Sequence, residues 1–112
     1  MNTICYLTSK QCKPCEGGVP ALSQTGIDTL MKQLAGWQQH GSVISKKFDF
    51  KNYYPTIAFV NAVAWVSHHE DHHPDLTVTY NSCTVAYTTH AINGLSENDF
   101  ICAAKVDALL KV

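Results

Sequence analysis

Four of the six histidines in this 112-residue chain fall in one window, His68-His69-Glu70-Asp71-His72-His73, with Pro74 directly after it and His90 further on. Imidazole is the side chain whose ordinary pKa lets it both donate and accept protons near neutrality. Several imidazoles around one pocket therefore suit a reaction that removes one proton and delivers another. Two other readings compete. His69-Glu70-Asp71-His72-His73 spells the H-E-x-x-H pattern in which two histidines one helical turn apart hold zinc. That pattern needs a continuous helix and a third ligand from elsewhere, and Pro74 follows at once, so zinc is the weaker reading. His68 and His69 are expected only to decorate a helix end, where a protonated imidazole meets the terminal carbonyls. Glu70, Asp71 and Asp75 would favour that protonated form without implying a function.

The elements that must position these residues follow from periodicity. Ile27, Leu30, Met31 and Leu34 share one helical face, which predicts a helix over roughly 22–35 ended by Gly36. Residues 42–50 alternate as a strand, with Ile44, Lys46, Phe48 and Phe50 on one side and the phenylalanine end toward the core. Asn52 caps a second helix with Pro55 in its first turn, and Phe59, Val60, Val63, Ala64 and Val66 form its apolar surface. This helix is expected to reach His69 or Asp71, because Pro74 disfavours helical geometry at His73. Residues 76–80 and 83–89 alternate and are β-branched, which predicts an antiparallel pair around an Asn81-Ser82 turn. A pairing sum of about 163 would bring 73 and 90 to the same open end of the hairpin, so His72, His73 and His90 would converge. Ser96-Glu97-Asn98-Asp99 caps a last helix that carries Phe100, Ala103, Ala104 and Leu110. Asp99 has two roles open to it, completing that cap or orienting a nearby imidazole. The order of elements belongs to the α+β class. Residues 1–20, with Pro14, Gly17, Gly18 and Pro20, read as an N-terminal arm, and 21–112 as a single domain.

Composition narrows the function classes. A chain of this length with 46% apolar residues can close one modest core. Eight basic and nine acidic residues nearly cancel, and every basic residue is a lysine, so the planar fork that grips phosphates and guanine edges is absent. Direct nucleic-acid binding is not expected. The longest apolar runs, such as 57–60, fall far short of the roughly 20 residues of a membrane span. Residues 1–7 lack the features of a secretory signal, which makes a cytoplasmic protein the simpler expectation. Its five cysteines, Cys5, Cys12, Cys15, Cys83 and Cys102, would then be mostly thiols. Cys12 and Cys15 form a lone C-x-x-C, a weak signal for zinc or redox chemistry, and are read as structural or incidental.

The spacing of His72-His73-Pro74, five residues, Tyr80, nine residues, His90, eight residues, Asp99 resembles the signature of the pterin-4a-carbinolamine dehydratases. The resemblance runs through Phe48-Asp49-Phe50-Lys51-Asn52 and residues 89–100 and covers roughly 25–110. The Cys12-to-Gly18 segment is similar to the start of bacterial-type members. The resemblance implies an α+β subunit with about three helices on one face of a four-stranded antiparallel sheet, assembling as a homodimer or homotetramer. It implies a hydro-lyase that converts 4a-hydroxytetrahydrobiopterin to quinonoid dihydropterin and water, recycling the pterin of an aromatic amino acid hydroxylase. Neither metal nor organic cofactor is implied.

By the same resemblance His72 and His90 are the acid–base pair, His73 binds substrate and stabilises charge, and Asp99 supports His90. Pro74 fixes the histidine turn, while Asp71, Thr88, Thr89 and Ala91 contribute to substrate binding. The position four before His72, often acidic in relatives, is His68 here, so a carboxylate role at that place is absent or altered. A second function class comes with the family, since animal members also act as dimerisation partners of a transcription factor. The bacterial-looking arm and the lack of a basic surface signature favour metabolism over that role.

Overall fold

The computed structural model describes residues 7–13 and 20–110. Three α-helices and four strands follow in the order α1 (Gln24–Met31), β1 (Gln38–His40), β2 (Val43–Asp49), α2 (Tyr53–Glu70), β3 (Asp75–Val78), β4 (Ser82–Tyr87) and α3 (Glu97–Ala108). The strands form one antiparallel sheet ordered β1-β2-β4-β3, an α+β arrangement. Among the described residues no helix is long and apolar enough to cross a membrane.

The register of β2 on β4 fixes which side chains share a face. Ile44 pairs with Tyr87, Lys46 with Val85 and Phe48 with Cys83, and all but Lys46 are buried. Against this face lie Phe59 and Val63 of α2, Ile27 of α1, and Phe100, Ile101 and Val106 of α3, all in one hydrophobic core. The Phe48 and Phe59 rings sit 4.7 Å apart and Phe50 stands 5.1 Å from Phe59, so the phenylalanine end of β2 holds the start of α2. Lys46 reaches out of the apolar face along its stem. Its Nζ donates to Asp107 Oδ1 (3.0 Å) and to the Ala35 carbonyl (2.9 Å). Trp37 Nε1–H donates to the other Asp107 oxygen (2.9 Å), so a single carboxylate ties the end of α3 to the sheet.

Three boundaries differ from the sequence expectation. α1 begins after Ser23, whose Oγ accepts from Gly26 N–H (3.2 Å), and it stops at Met31. Gln33 and Leu34 donate to carbonyls three residues back, a tightened exit that leads to Gly36 in the left-handed region (φ 84°). The hairpin turn is Tyr80-Asn81, not Asn81-Ser82. Every β3–β4 pair sums to 161, because Ser82 is drawn into the ladder: its carbonyl accepts from Thr79 N–H (2.8 Å) and its Oγ meets Thr79 Oγ1 (2.6 Å). Leu110, expected on the last helix, lies beyond it and is half exposed.

The segment 20–23 threads beside the turn that follows β4. Leu22 N–H donates to the Leu95 carbonyl (2.9 Å), and a Cβ built on Gly94 would stand 2.6 Å from Ala21 Cβ, closer than two carbons approach without displacement. Gly94→Ala is expected to lower stability in urea denaturation by about 1–3 kcal/mol, the usual cost of overpacking a close contact.

Candidate active site

The helix that carries the histidines stops at Glu70. Asp71 takes the left-handed conformation (φ 51°) and returns its N–H to the Ser67 carbonyl. His72 N–H donates to the same carbonyl (3.2 Å), and the chain enters β3 at Asp75. The H-E-x-x-H run is therefore broken, with His69 in the last helical turn and His73 past the break. Its glutamate is engaged elsewhere, since Glu70 Oε1 accepts from Cys12 N–H (2.8 Å) and Oε2 pairs with Lys105 Nζ (2.6 Å).

Opposite this junction, β4 ends at Tyr87. Thr89 bridges to Gly94, and His90–Ile92 form a single 3₁₀ turn closed by Asn93 at φ 51°. The pairing sum of 161 places residue 73 across from 88 rather than 90, so His90 reaches the site from a turn and not from the strand ladder. The two junctions nevertheless meet around one cavity of about 470 Å³. Asp71, His72 and His73 line it from the first junction, and Thr88, Thr89, His90 and Ala91 from the second. Pro74 is not among the lining residues, and Asp99 lies behind the wall.

Asp99 is fully buried. Its Oδ1 is 2.6 Å from His72 Nε2, and its Oδ2 accepts from Thr89 Oγ1 (2.8 Å) and Ser96 N–H (3.0 Å). The carboxylate expected beside His90 thus faces His72, because His72 turns inward, with only 13% of its side chain exposed, while His90 is exposed on its turn. Both readings of Asp99 coexist: it completes the cap of α3 and orients an imidazole. The His72 ring lies parallel to Tyr87, with 9° between planes and centroids 5.7 Å apart. Burial, with a contribution from Cys102, pushes the Tyr87 phenol above its ordinary value, so it backs the imidazole as a neutral ring.

Five further residues complete the wall: Cys12, Lys13, His69, Glu70 and Asn98. His69, expected as decoration, borders the cavity with its ring 4.3 Å from Trp65, while His68 packs 5.9 Å from the same indole and does not line it. Cys12 and Lys13 arrive from the arm, where Lys13 N–H donates to Asn98 Oδ1 (3.0 Å). No periodicity or motif in the arm announces that docking. Cys15, the other member of the C-x-x-C, lies outside the described residues.

An α+β sheet whose helix–strand and strand–turn junctions gather four imidazoles around one open cavity, with a buried carboxylate behind its wall, supplies side chains that can both donate and accept protons. Comparison with known proteins makes this specific: residues 20–109 match the family described as pterin 4 alpha carbinolamine dehydratase. A curated protein of Nitrosospira multiformis, provisionally named pterin-4-alpha-carbinolamine dehydratase, is 67% identical over 111 residues, covering 99% of this chain and 98% of its own. A crystal structure from Brucella melitensis, described as a transcriptional coactivator/pterin dehydratase, is similar at a TM-score of 0.76 and 30% identity, covering 80% of this chain and 97% of that one. A pterin dehydratase-like protein identified as a RuBisCO assembly factor is similar at a TM-score of 0.56 and 26% identity, over 67% of this chain and 87% of its own. The chain belongs to the pterin-4-alpha-carbinolamine dehydratase family.

Two stability measurements test the supports of the site. Asp99→Ala should cost more than Asp99→Asn in urea denaturation, by about 1–3 kcal/mol, because the alanine leaves the buried Ser96 N–H without an acceptor. Glu70 is the second support. Burial pushes its carboxyl up, but the Cys12 N–H and the Lys105 ammonium outweigh that and hold it below the ordinary glutamate value of 4.5. A folded-state value below the unfolded one stabilises fully above the ordinary value and loses that contribution as pH falls through the lower folded value. Stability should therefore decline on acidification below about 4.5 less steeply in Glu70→Gln than in the unaltered protein.

Proposed function

We propose that the chain dehydrates 4a-hydroxytetrahydropterins, 4a-hydroxytetrahydrobiopterin among them, releasing water and quinonoid dihydropterin. The observation that carries this reading is the meeting of His72, His73 and His90 at one cavity, with His72 backed by a buried carboxylate. Loss of the C4a hydroxyl needs a proton on the departing oxygen, and forming the new C=N bond needs a proton removed from N5, so an acid and a base act together. In our reading His72 and His90, which both line the cavity, are that pair, and His73 holds the substrate. Asp99 acts as a positioning residue through His72. A 2.6 Å separation requires a proton between Nε2 and Oδ1, which leaves Nδ1 as the nitrogen free to exchange with substrate. Asp71, Thr88, Thr89 and Ala91 supply the polar edge and backbone around the ring, and Pro74 fixes the turn. No metal or organic cofactor enters this mechanism.

The coactivator description attaches to a relative at 30% identity, whereas the dehydratase name is carried by one at 67%, which favours catalysis over a binding role. We read the protein as a cytoplasmic homodimer or homotetramer serving an aromatic amino acid hydroxylase. Exposed Tyr54, Trp65, Val78 and Tyr80 are apolar surface that assembly would cover.

The test is the rate of carbinolamine dehydration by the unaltered protein and by folded His72→Ala and His90→Ala variants. Each variant should lose about 10²-fold or more of the acceleration, the usual share of a positioned acid or base. Unchanged rates in both would overturn the role assignment, and no acceleration by the unaltered protein would overturn the activity.

A further inference from the structure

Beside the histidine cavity, two thiols from distant parts of the chain meet. Cys12 Sγ lies 3.5 Å from Cys102 Sγ across 90 residues of sequence, and both are free thiols. Bonds that do not involve sulfur hold the arm in this register. Cys12 N–H is fixed by Glu70 and Lys13 N–H by Asn98, whose side-chain amide returns to the Lys13 carbonyl. Lys10 Nζ pairs with Glu97 at the start of α3 (2.6 Å). A disulfide requires the sulfurs to close to about 2.0 Å, a shift on the order of 1.5 Å from where the docked arm already places them.

We propose that Cys12 and Cys102 are a disulfide-forming site, closed by exchange with a low-molecular-weight disulfide, that fastens the arm to α3 along one wall of the cavity. Cys12 reacts first because it is only partly buried while Cys102 is fully buried. Its sulfur attacks the small disulfide and expels one small thiol, giving a mixed disulfide on Cys12. Cys102 Sγ then attacks Cys12 Sγ, forms the internal bond and expels the second small thiol. The chain is oxidised by two electrons, the small disulfide is reduced to two thiols, and the two protein thiol protons leave with them.

The same surroundings set the pace. Contact with Cys102, burial and Glu70 all hold the Cys12 thiol protonated, so the attacking thiolate is scarce and exchange is slow. Once formed, the bond closes a loop of 90 residues, and long loops are those whose closure most restricts the unfolded chain. The pair is thus a slow latch for sustained oxidation, not a fast sensor. Its bearing on the cavity rests on the proposed function, but its formation does not.

The experiment incubates the folded full-length chain with excess glutathione disulfide, followed by non-reducing peptide mapping and thermal denaturation. The expected product is a single chain lighter by two hydrogens, linked Cys12 to Cys102, reversible by reductant, with a melting temperature above that of the reduced protein. Cys12→Ser and Cys102→Ala should each abolish the link and the shift, and Cys12→Ser alone carries the comparison should the buried substitution prevent folding. A protein that stays reduced, a persistent glutathione adduct on Cys12, a link from Cys12 to Cys5 or Cys15, or a link between chains would each overturn the proposal. Because the readout is covalent, a failure here is distinguishable from a failure of the dehydratase reading.

Discussion

A carboxylate withdrawn from water must find hydrogen-bond partners for both oxygens, or the fold pays several kilocalories for stranding it. Asp99 meets that requirement with three partners from three separate pieces of chain. His72 comes from the junction after α2, Thr89 from the bridge after β4, and the Ser96 N–H from the entrance to α3. None of these pieces is regular secondary structure, so none is positioned by a ladder or helical repeat of its own. The buried charge gives them a common address, and the histidine cavity opens where they meet.

A second carboxylate performs a related task at the rim. Glu70 is the last residue of α2 and holds Lys105 of α3 with one oxygen and the Cys12 amide with the other. The helix pair and the arm therefore share an anchor at the point where α2 must end for His72 to turn inward. The left-handed Asp71 makes that turn possible within a single residue. Aspartate tolerates this region better than a β-branched residue would, which suits it to the position.

The regular elements were legible because periodicity and caps act locally. Asn52, Ser96, the alternation of 43–49 and the β-branched runs around residue 80 all led to elements that the structure contains. The family signature supplied the four-stranded sheet, since β1 is only three polar residues, Gln38–His40, without alternation to betray it. The hairpin slipped because the two-residue rule favours Asn-led turns, whereas the Thr79–Ser82 hydroxyl contact outweighed it. That slip shifts the pairing sum by two, so every side chain keeps its face, and His72, His73 and His90 still line one cavity. Asp99 was singled out, but not its partner, because the choice between His72 and His90 depends on which imidazole is buried. The arm's contribution rests on contacts such as that of Cys12 with Glu70, 58 residues away, which no local pattern encodes.

The parallel stacking of His72 on Tyr87 has a consequence for the motion of the ring. With Nε2 held by Asp99 and one face covered by a phenol ring, the imidazole cannot turn over to exchange its nitrogens without breaking a buried hydrogen bond and displacing a core aromatic. In the proposed reaction it would be a one-sided reagent. In the proposed dehydration, a proton released from Nδ1 would have to be replaced through that same nitrogen, so the ring would reset by exchange there and not by rotation.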